Sequence, residues 1–341
     1  MNWSAQQQAI FDWFERGEGH LVVRARAGTG KTTTILEAIS HAPEQRVMLC
    51  AFNKRIADEL TSRLRNPRAQ AKTLHSLGFG LVRRMWTSIH VDEDRGFKLA
   101  KQAWASRRGG SAENAPDVPA SLVSRLASVV KNTCPTEPSL DFVVDLAYQY
   151  NVVPENGWSD VVSVEQVAEM AINAVGRAYD RDGTIDYDDM VWLPVAHKWA
   201  TLAYDLIVVD EAQDMNAVQL ALARGLARGR IAVVGDDKQA IYGFRGADAS
   251  AIDRLKIELR ALELPLTVTY RCPKAVVAVA LPLCPDFVAA DGAPEGLVLR
   301  MTTEQMTAAA QPSDFILSRL NAPLARICLG FFREGRPARI E

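Results

Sequence analysis

No apolar run in this sequence is long enough to cross a bilayer. The longest, AVVAVALPLC, spans only residues 275–284 and contains Pro282, whereas a spanning helix needs about 20 apolar residues. Met1 to Gln8 lacks the basic and apolar pattern of a secretion signal, so a cytoplasmic, reducing setting is expected. Cysteine is scarce: Cys50, Cys134, Cys272, Cys284 and Cys328 form no Cys-x-x-Cys pair and have no clustered histidine. That excludes a disulfide framework and a zinc site of the usual spacing. Net charge is nearly absent at −2, so the whole chain gives no electrostatic sign of a polyanionic partner. The charge is unevenly spread, however. Residues 1–84 carry 13 Lys and Arg against 7 Asp and Glu, and residues 85–200 carry 10 against 17. A polyanion would meet the first segment before the second. Internal repeats and long low-complexity tracts are also missing. The remaining composition, 48% hydrophobic and 23% charged over 341 residues, suits about two globular domains, each with a buried core.

The apolar pattern alternates short strands with helical stretches. LVVRA at 21–25, VMLCA at 47–51, LIVVD at 206–210, IAVVG at 231–235 and LTVTY at 266–270 are rich in β-branched residues and bounded by polar or Gly turns. Strands separated by helices predict right-handed crossovers and a parallel sheet, an α/β fold. Residues 89–184 break the rhythm with the loop RRGGSAENAPDVP at 107–119 and helical patterns at 121–131, 141–150 and 163–180. In the last of these, Val164, Val167, Ala168, Ala171, Ile172 and Val175 share one face. We read this stretch as a helical insert within an α/β domain. From Pro265 onward a strand and the helix after Pro273 begin what reads as a second α/β domain.

Three apolar strands end in chemistry. ARAGTGKT at 25–32 follows a strand and opens a helix, the context of a phosphate-binding loop, although Ala25 stands where the pattern G-x-x-x-x-G-K-[ST] has Gly. The nucleotide-holding set is Ala27, Gly28, Thr29, Gly30, Lys31, Thr32 and Thr33. Backbone N–H groups between Gly28 and Thr32 would cradle the β-phosphate, Lys31 would neutralise β- and γ-oxygens, and Thr32 would ligate Mg²⁺. A second carboxylate partner is expected on a neighbouring strand, and LIVVDEAQD at 206–214 supplies one. Asp210 would hold Mg²⁺ through water, and Glu211 would accept a proton from the attacking water. The third strand end is VVGDDKQAIYGFRGA at 233–247. Together these segments predict hydrolysis of a nucleoside triphosphate coupled to a further event.

With ARAGTGKTT, the segments DEAQD at 210–214, GDDKQAIYGFRGAD at 235–248 and TYRCP at 269–273 resemble motifs I to IV of superfamily 1A DNA helicases, the UvrD/Rep group. SAQQQAI at 4–10 is similar to that group's Q motif, AFNKRIADEL at 51–60 to motif Ia, AKTLHSLG at 71–78 to the Thr-x-His-Ser segment, and IDYDDMVWLP at 185–194 to the Asp-rich segment before motif II. The resemblance covers residues 1–88 and 185–275. It implies a RecA-like, ATP-binding domain (1A) from 1–88 and 185–265, a helical insert (1B) at 89–184, and an incomplete second RecA-like domain (2A) at 266–341. It further implies that Gln6 reads the adenine edge, Tyr270 stacks on adenine, Gln239 senses the γ-phosphate or orients water, and Arg271 reaches the γ-phosphate as an internal arginine finger. For DNA, the resemblance points to Phe52, Asn53, His75, Tyr242, Phe244 and Arg245 as stacking or single-strand contacts.

The implied activity is ATP-dependent, Mg²⁺-requiring movement on single-stranded DNA or at a single/double-strand junction, with 3′ to 5′ polarity. Motifs V and VI are not visible, so the chain is expected to be the amino-terminal part of such a motor. A non-motor module that binds ATP and DNA, and a portion of a helicase-nuclease, stay open as readings of the same residues.

Overall fold

The computed structural model describes residues 3–16, 18–155, 157–180, 182–239 and 251–340. The chain opens with α1 (Ala5–Arg16), β1 (Leu21–Ala25), α2 (Lys31–His41), β2 (Val47–Ala51), α3 (Lys54–Arg63), β3 (Ala69–Thr73) and α4 (Leu74–Met85). After β4 (His90–Val91) come α5 (Arg95–Arg108), α6 (Asp117–Thr133), α7 (Leu140–Gln149), α8 (Val164–Tyr179) and β5 (Thr184–Ile185). The chain then runs through α9 (Tyr187–Ala196), β6 (Tyr204–Val209), α10 (Ala217–Leu226), β7 (Ala227–Gly235), α11 (Ala251–Leu259) and β8 (Leu262–Leu266). The last elements are β9 (Val268–Thr269), α12 (Lys274–Ala280), β10 (Val288–Ala289), α13 (Thr303–Ala309) and α14 (Asn321–Arg333).

Six strands form one sheet in the order β3-β2-β6-β7-β1-β8, and every pairing in it is parallel. The α/β reading is therefore correct. Parallel strands with helices on both sheet faces must be apolar on both, which is why VMLCA and LIVV read as unbroken hydrophobic runs. The period of two still sorts them. Val47, Leu49 and Ala51 of β2 pack with α1 and α2 residues such as Phe11, Phe14 and Ile35. Met48 and Cys50 face the other way, into a core that runs on through Leu74 and Leu77 into Val123, Leu126, Val167 and Ala171 of α6 and α8. The helical stretch and one sheet face thus share a single continuous apolar core.

Two strand expectations need correction. The stretch predicted at 266–270 is divided: Leu262–Leu266 is the sixth strand of the sheet, paired to β1, and Val268–Thr269 pairs with β10 in a separate two-stranded sheet. Pro265 and the exposed Leu262 conceal that strand, because an edge position tolerates both. The sequence reading also omits β3. Its residues, AQAKT, have one buried member, Ala71, and so carry no apolar signature.

The Asp-rich segment at 185–194 acquires a structural explanation. Asp186 caps α9 in a reciprocal box with Asp189, and the same two acids hold buried cations of the helical stretch. Lys131 of α6 contacts Asp186 at 2.9 Å and Asp189 at 2.7 Å, and Arg95 of α5 contacts Asp189 at 2.5 Å. Among the described residues no helix is long and apolar enough to cross a membrane.

Candidate nucleotide site at the strand ends

β1, β6 and β7 lie side by side and deliver their carboxyl ends to one edge of the sheet, the edge where open α/β folds bind ligands. After Ala25 the chain turns through Gly28 (φ 70°) and Gly30 (φ 79°) into α2. Both glycines have left-handed backbone that other residues adopt only with strain. A Cβ at Gly28 would also lie 2.6 Å from Arg271 Cβ and 2.7 Å from Thr269 Oγ1. The Tyr270 N–H donates to Gly28 O at 2.9 Å, so residues 269–271 rest directly on the phosphate-binding loop.

Lys31, in the first turn of α2, donates from Nζ to Glu211 Oε2 at 2.6 Å. Glu211 itself has φ 50°, a left-handed conformation that costs a non-glycine residue on the order of 1 kcal/mol and sits where β6 ends. Gln213 binds the neighbouring strand ends together. Its Nε2 donates to Glu211 Oε2 at 2.8 Å, and its Oε1 accepts the Asp236 N–H at 2.9 Å. Gln239 donates from Nε2 to Asp236 Oδ2 at 2.5 Å.

The result is a pocket of about 300 Å³ lined by Gly28 through Thr33 together with Arg63, Glu211, Gln239 and Arg271. The lining includes every phosphate-side residue of the sequence reading except Ala27 and Asp210. Asp210 is 3% exposed, behind Glu211, whose N–H donates to Asp210 Oδ1 at 2.9 Å. Burial first, and the adjacent Glu211 charge second, push the Asp210 carboxyl up to about 6, against the pull of Lys31 and of that N–H. No Lys or Arg among the described residues pairs with Asp210 directly, since Lys31 is committed to Glu211. A buried carboxylate without a cationic partner, and the Thr32 hydroxyl in the pocket wall, are oxygen donors of the kind a hard divalent cation takes along with water and phosphate oxygens.

Arg63 was absent from the sequence reading. It closes α3, with Nη1 on Glu59 at 3.0 Å and Nη2 on Thr33 Oγ1 at 3.4 Å. In the sequence it is one of several arginines in TSRLRNPR, and only the packing of α3 beside α2 singles it out.

Gln6 and Tyr270 lie beside this pocket and do not line it. The Gln6 amide exchanges two hydrogen bonds with Thr267, Nε2 to Oγ1 at 2.9 Å and Oε1 from the N–H at 3.0 Å, and Tyr270 is exposed. Of the proposed DNA contacts, half-buried Phe52 follows β2 directly and half-buried His75 lies two residues beyond β3. Asn53 has a structural task, because its Oδ1 caps α3 through the Ile56 N–H at 2.9 Å. Tyr242, Phe244 and Arg245 lie outside the described residues. A larger hollow of about 540 Å³ runs along β3 between Thr61 and Lys72, with no convergent chemistry in its walls.

A glycine-turned loop at a helix N-terminus, a lysine in it, and an Asp-Glu pair at the end of a parallel strand one removed from β1, with β7 between them where a directly neighbouring strand was expected, define a P-loop nucleotide-binding domain of the RecA-like α/β class. Residues 3–259 match the sequence profile of the UvrD/REP helicase N-terminal domain, and the chain belongs to that family. It is 25% identical over 287 residues to DNA helicase II of Escherichia coli, which covers 76% of this chain and 38% of that protein. It is 27% identical over 285 residues to F-box DNA helicase protein 1 of Schizosaccharomyces pombe, covering 76% and 30%. The ATP-dependent DNA helicase Rep of Escherichia coli gives 25% over 319 residues, covering 81% and 42%. The chain therefore spans well under half the length of these relatives.

Proposed function

We propose that this chain binds ATP with Mg²⁺, hydrolyses it, and couples hydrolysis to 3′ to 5′ movement on single-stranded DNA, engaging a single strand or a single/double-strand junction. The observation that carries the reading is the convergence of Lys31, Glu211, Gln239 and Arg271 on one pocket at the mouth of the glycine loop.

The residues divide the work. Backbone N–H groups from Gly28 to Thr32, at the positive end of α2, hold the β-phosphate. The 2.6 Å ion pair masks the Glu211 carboxylate with the Lys31 ammonium. β- and γ-phosphate oxygens compete for that ammonium, which leaves Glu211 free to take a proton from water. Gln239 orients that water or senses the γ-phosphate, and Arg271 neutralises charge that develops there. Asp210 and Thr32 would hold Mg²⁺, which supplies charge neutralisation between phosphate oxygens. Gln6 trades its Thr267 bonds for the adenine edge, and the exposed Tyr270 ring covers the base.

Phe52, Asn53 and His75, beyond the ends of β2 and β3, and Tyr242, Phe244 and Arg245, beyond β7, are the proposed strand contacts. Stacking of this kind is indifferent to sequence, since every base has a π-face. The test is ATP hydrolysis by the whole chain with and without oligo-deoxythymidylate. Stimulation that disappears in Lys31→Ala supports the motor. Tight binding of both ligands without turnover replaces it with a non-motor ATP- and DNA-binding module. A folded chain that binds neither ligand refutes both.

A further inference from the structure

Arg26 is the residue of the phosphate-binding loop to which the mechanism above gives no task. Its backbone belongs to the loop, with the N–H on Leu266 O at 2.8 Å and the carbonyl accepting the Thr29 hydroxyl at 2.9 Å. Its guanidinium is not in the pocket wall. The side chain is 8% exposed and meets three carboxylates. Nη1 donates to Asp236 Oδ1 at 3.1 Å and to Asp237 Oδ1 at 2.8 Å, and Nε reaches both oxygens of Asp286 at 3.0 and 3.1 Å. Asp236 is the centre of this cluster. It is buried, its Oδ1 also accepts the Lys238 N–H at 3.1 Å, and its Oδ2 receives the Gln239 amide at 2.5 Å.

A buried carboxylate stays ionised and fixed only with a cation and donors around it. Here the cation comes from the phosphate-binding loop, and one of the donors is the side chain of Gln239. The third carboxylate, Asp286, lies between α12 and β10, in the stretch that follows Arg271.

We infer that Arg26 is a positioning residue for the nucleotide site: it fixes Asp236, and through it Gln239, against the phosphate-binding loop, and ties the stretch carrying Asp286 to the same guanidinium. This rests on the proposed reading of Gln239 as the group that meets the γ-phosphate or its attacking water. Lysine cannot replace the arginine fully, because a compact ammonium lacks the planar fork that reaches carboxylates on two sides.

The experiment compares the whole chain with Arg26→Gln, Arg26→Lys and Asp286→Asn in two measurements. In single-strand-stimulated ATP hydrolysis, Arg26→Gln is expected to lower kcat by about 10²-fold, the scale of a misplaced catalytic group, with KM changed less than about threefold. Arg26→Lys recovers part of the loss. In amide exchange without nucleotide, Arg26→Gln speeds exchange at Lys238 and Gln239 and at Phe287 and Val288, while the half-exposed Asp286→Asn speeds only the second pair. A rise in KM at constant kcat, or unaltered exchange at Lys238 and Gln239, overturns the inference. If the unsubstituted chain hydrolyses no ATP, the proposed function fails, and the exchange measurement still decides the role of Arg26.

Discussion

The six-stranded sheet and the stretch from Thr267 to Ile340 treat the same kinds of side chain in opposite ways. Leu21, Val22, Met48, Leu49, Ile207 and Val208 are fully buried, whereas Leu283, Leu297, Phe315 and Leu317 are at least 75% exposed. The difference lies in neighbours, since apolar content is high in both. A β-branched run becomes a core strand when ladders flank it and helices cover its faces. LVLRM at 297–301 has neither, and no strand is assigned there. The nucleotide pocket draws on both regions. Lys31 opens α2, which follows β1, and Glu211 and Gln239 lie just past the ends of β6 and β7. Arg271 lies two residues past β9, and the residues flanking that short strand bond to α1 through Thr267 on Gln6 and to the glycine loop through Tyr270 on Gly28. The first three side chains thus stand on the sheet's own strand ends and first helix, and Arg271 stands on a short strand held by a few hydrogen bonds.

The sharpest way to separate the regions is Arg271→Ala. It should cost about 10³- to 10⁵-fold in kcat while leaving the thermal midpoint in place, because the side chain is exposed. A lowered midpoint would mean that the second region stabilises the first. Asp210→Asn probes the sheet side. The folded Asp210 carboxyl is raised to about 6 from 3.8, so its contribution to stability is complete below about pH 4 and is lost as pH rises through 6. Removing the charge should raise the stability of the nucleotide-free chain at pH 8 by up to about 3 kcal/mol, change it little at pH 4, and abolish Mg²⁺-dependent nucleotide binding. Denaturation curves at the two pH values check the sign, and a variant less stable at pH 8 would contradict it.

A matched pair of glycines tests packing alone. A Cβ at Gly78, in α4, would lie 2.0 Å from Met190 O, whereas one at Gly330, in α14, meets nothing within 4 Å. Gly78→Ala should destabilise by about 3 kcal/mol, the upper end for overpacking. Gly330→Ala should stabilise its helix by about 1 kcal/mol. Equal effects on urea midpoints would erase the contrast between the regions. The smallest effect is that of Asn53→Ala, about 1 kcal/mol for a lost helix cap. Asn53→Ser keeps a capping oxygen, so single-strand affinity that falls in both variants separates a DNA contact from the cap.

Much of the site was legible because its chemistry is local in sequence. A glycine loop, a lysine and two strand-end acids each announce themselves, and the fold then had to bring β1, β6 and β7 together. What was hidden depends on distance in the chain. Arg63 belongs to the pocket only because α3 lies beside Thr33. Gln213 carries no assignment in DEAQD, and its two-ended amide matters only once Asp236 stands opposite. Arg26 has no role in the loop pattern itself, and three carboxylates from residues 236 to 286 reach it only in the fold. Asn53, read as a DNA contact from resemblance, also carries a cap that its place before KRIADEL could have indicated.

β3 escaped detection because AQAKT has almost no apolar face. That same poverty governs how the sheet meets other molecules. β3 is an outer strand of the six, and along its free side a second chain could add itself by backbone pairing. Exposed Gln70 and Lys72 flank the single buried Ala71, so an added strand would find little apolar surface to cover and a lysine to desolvate.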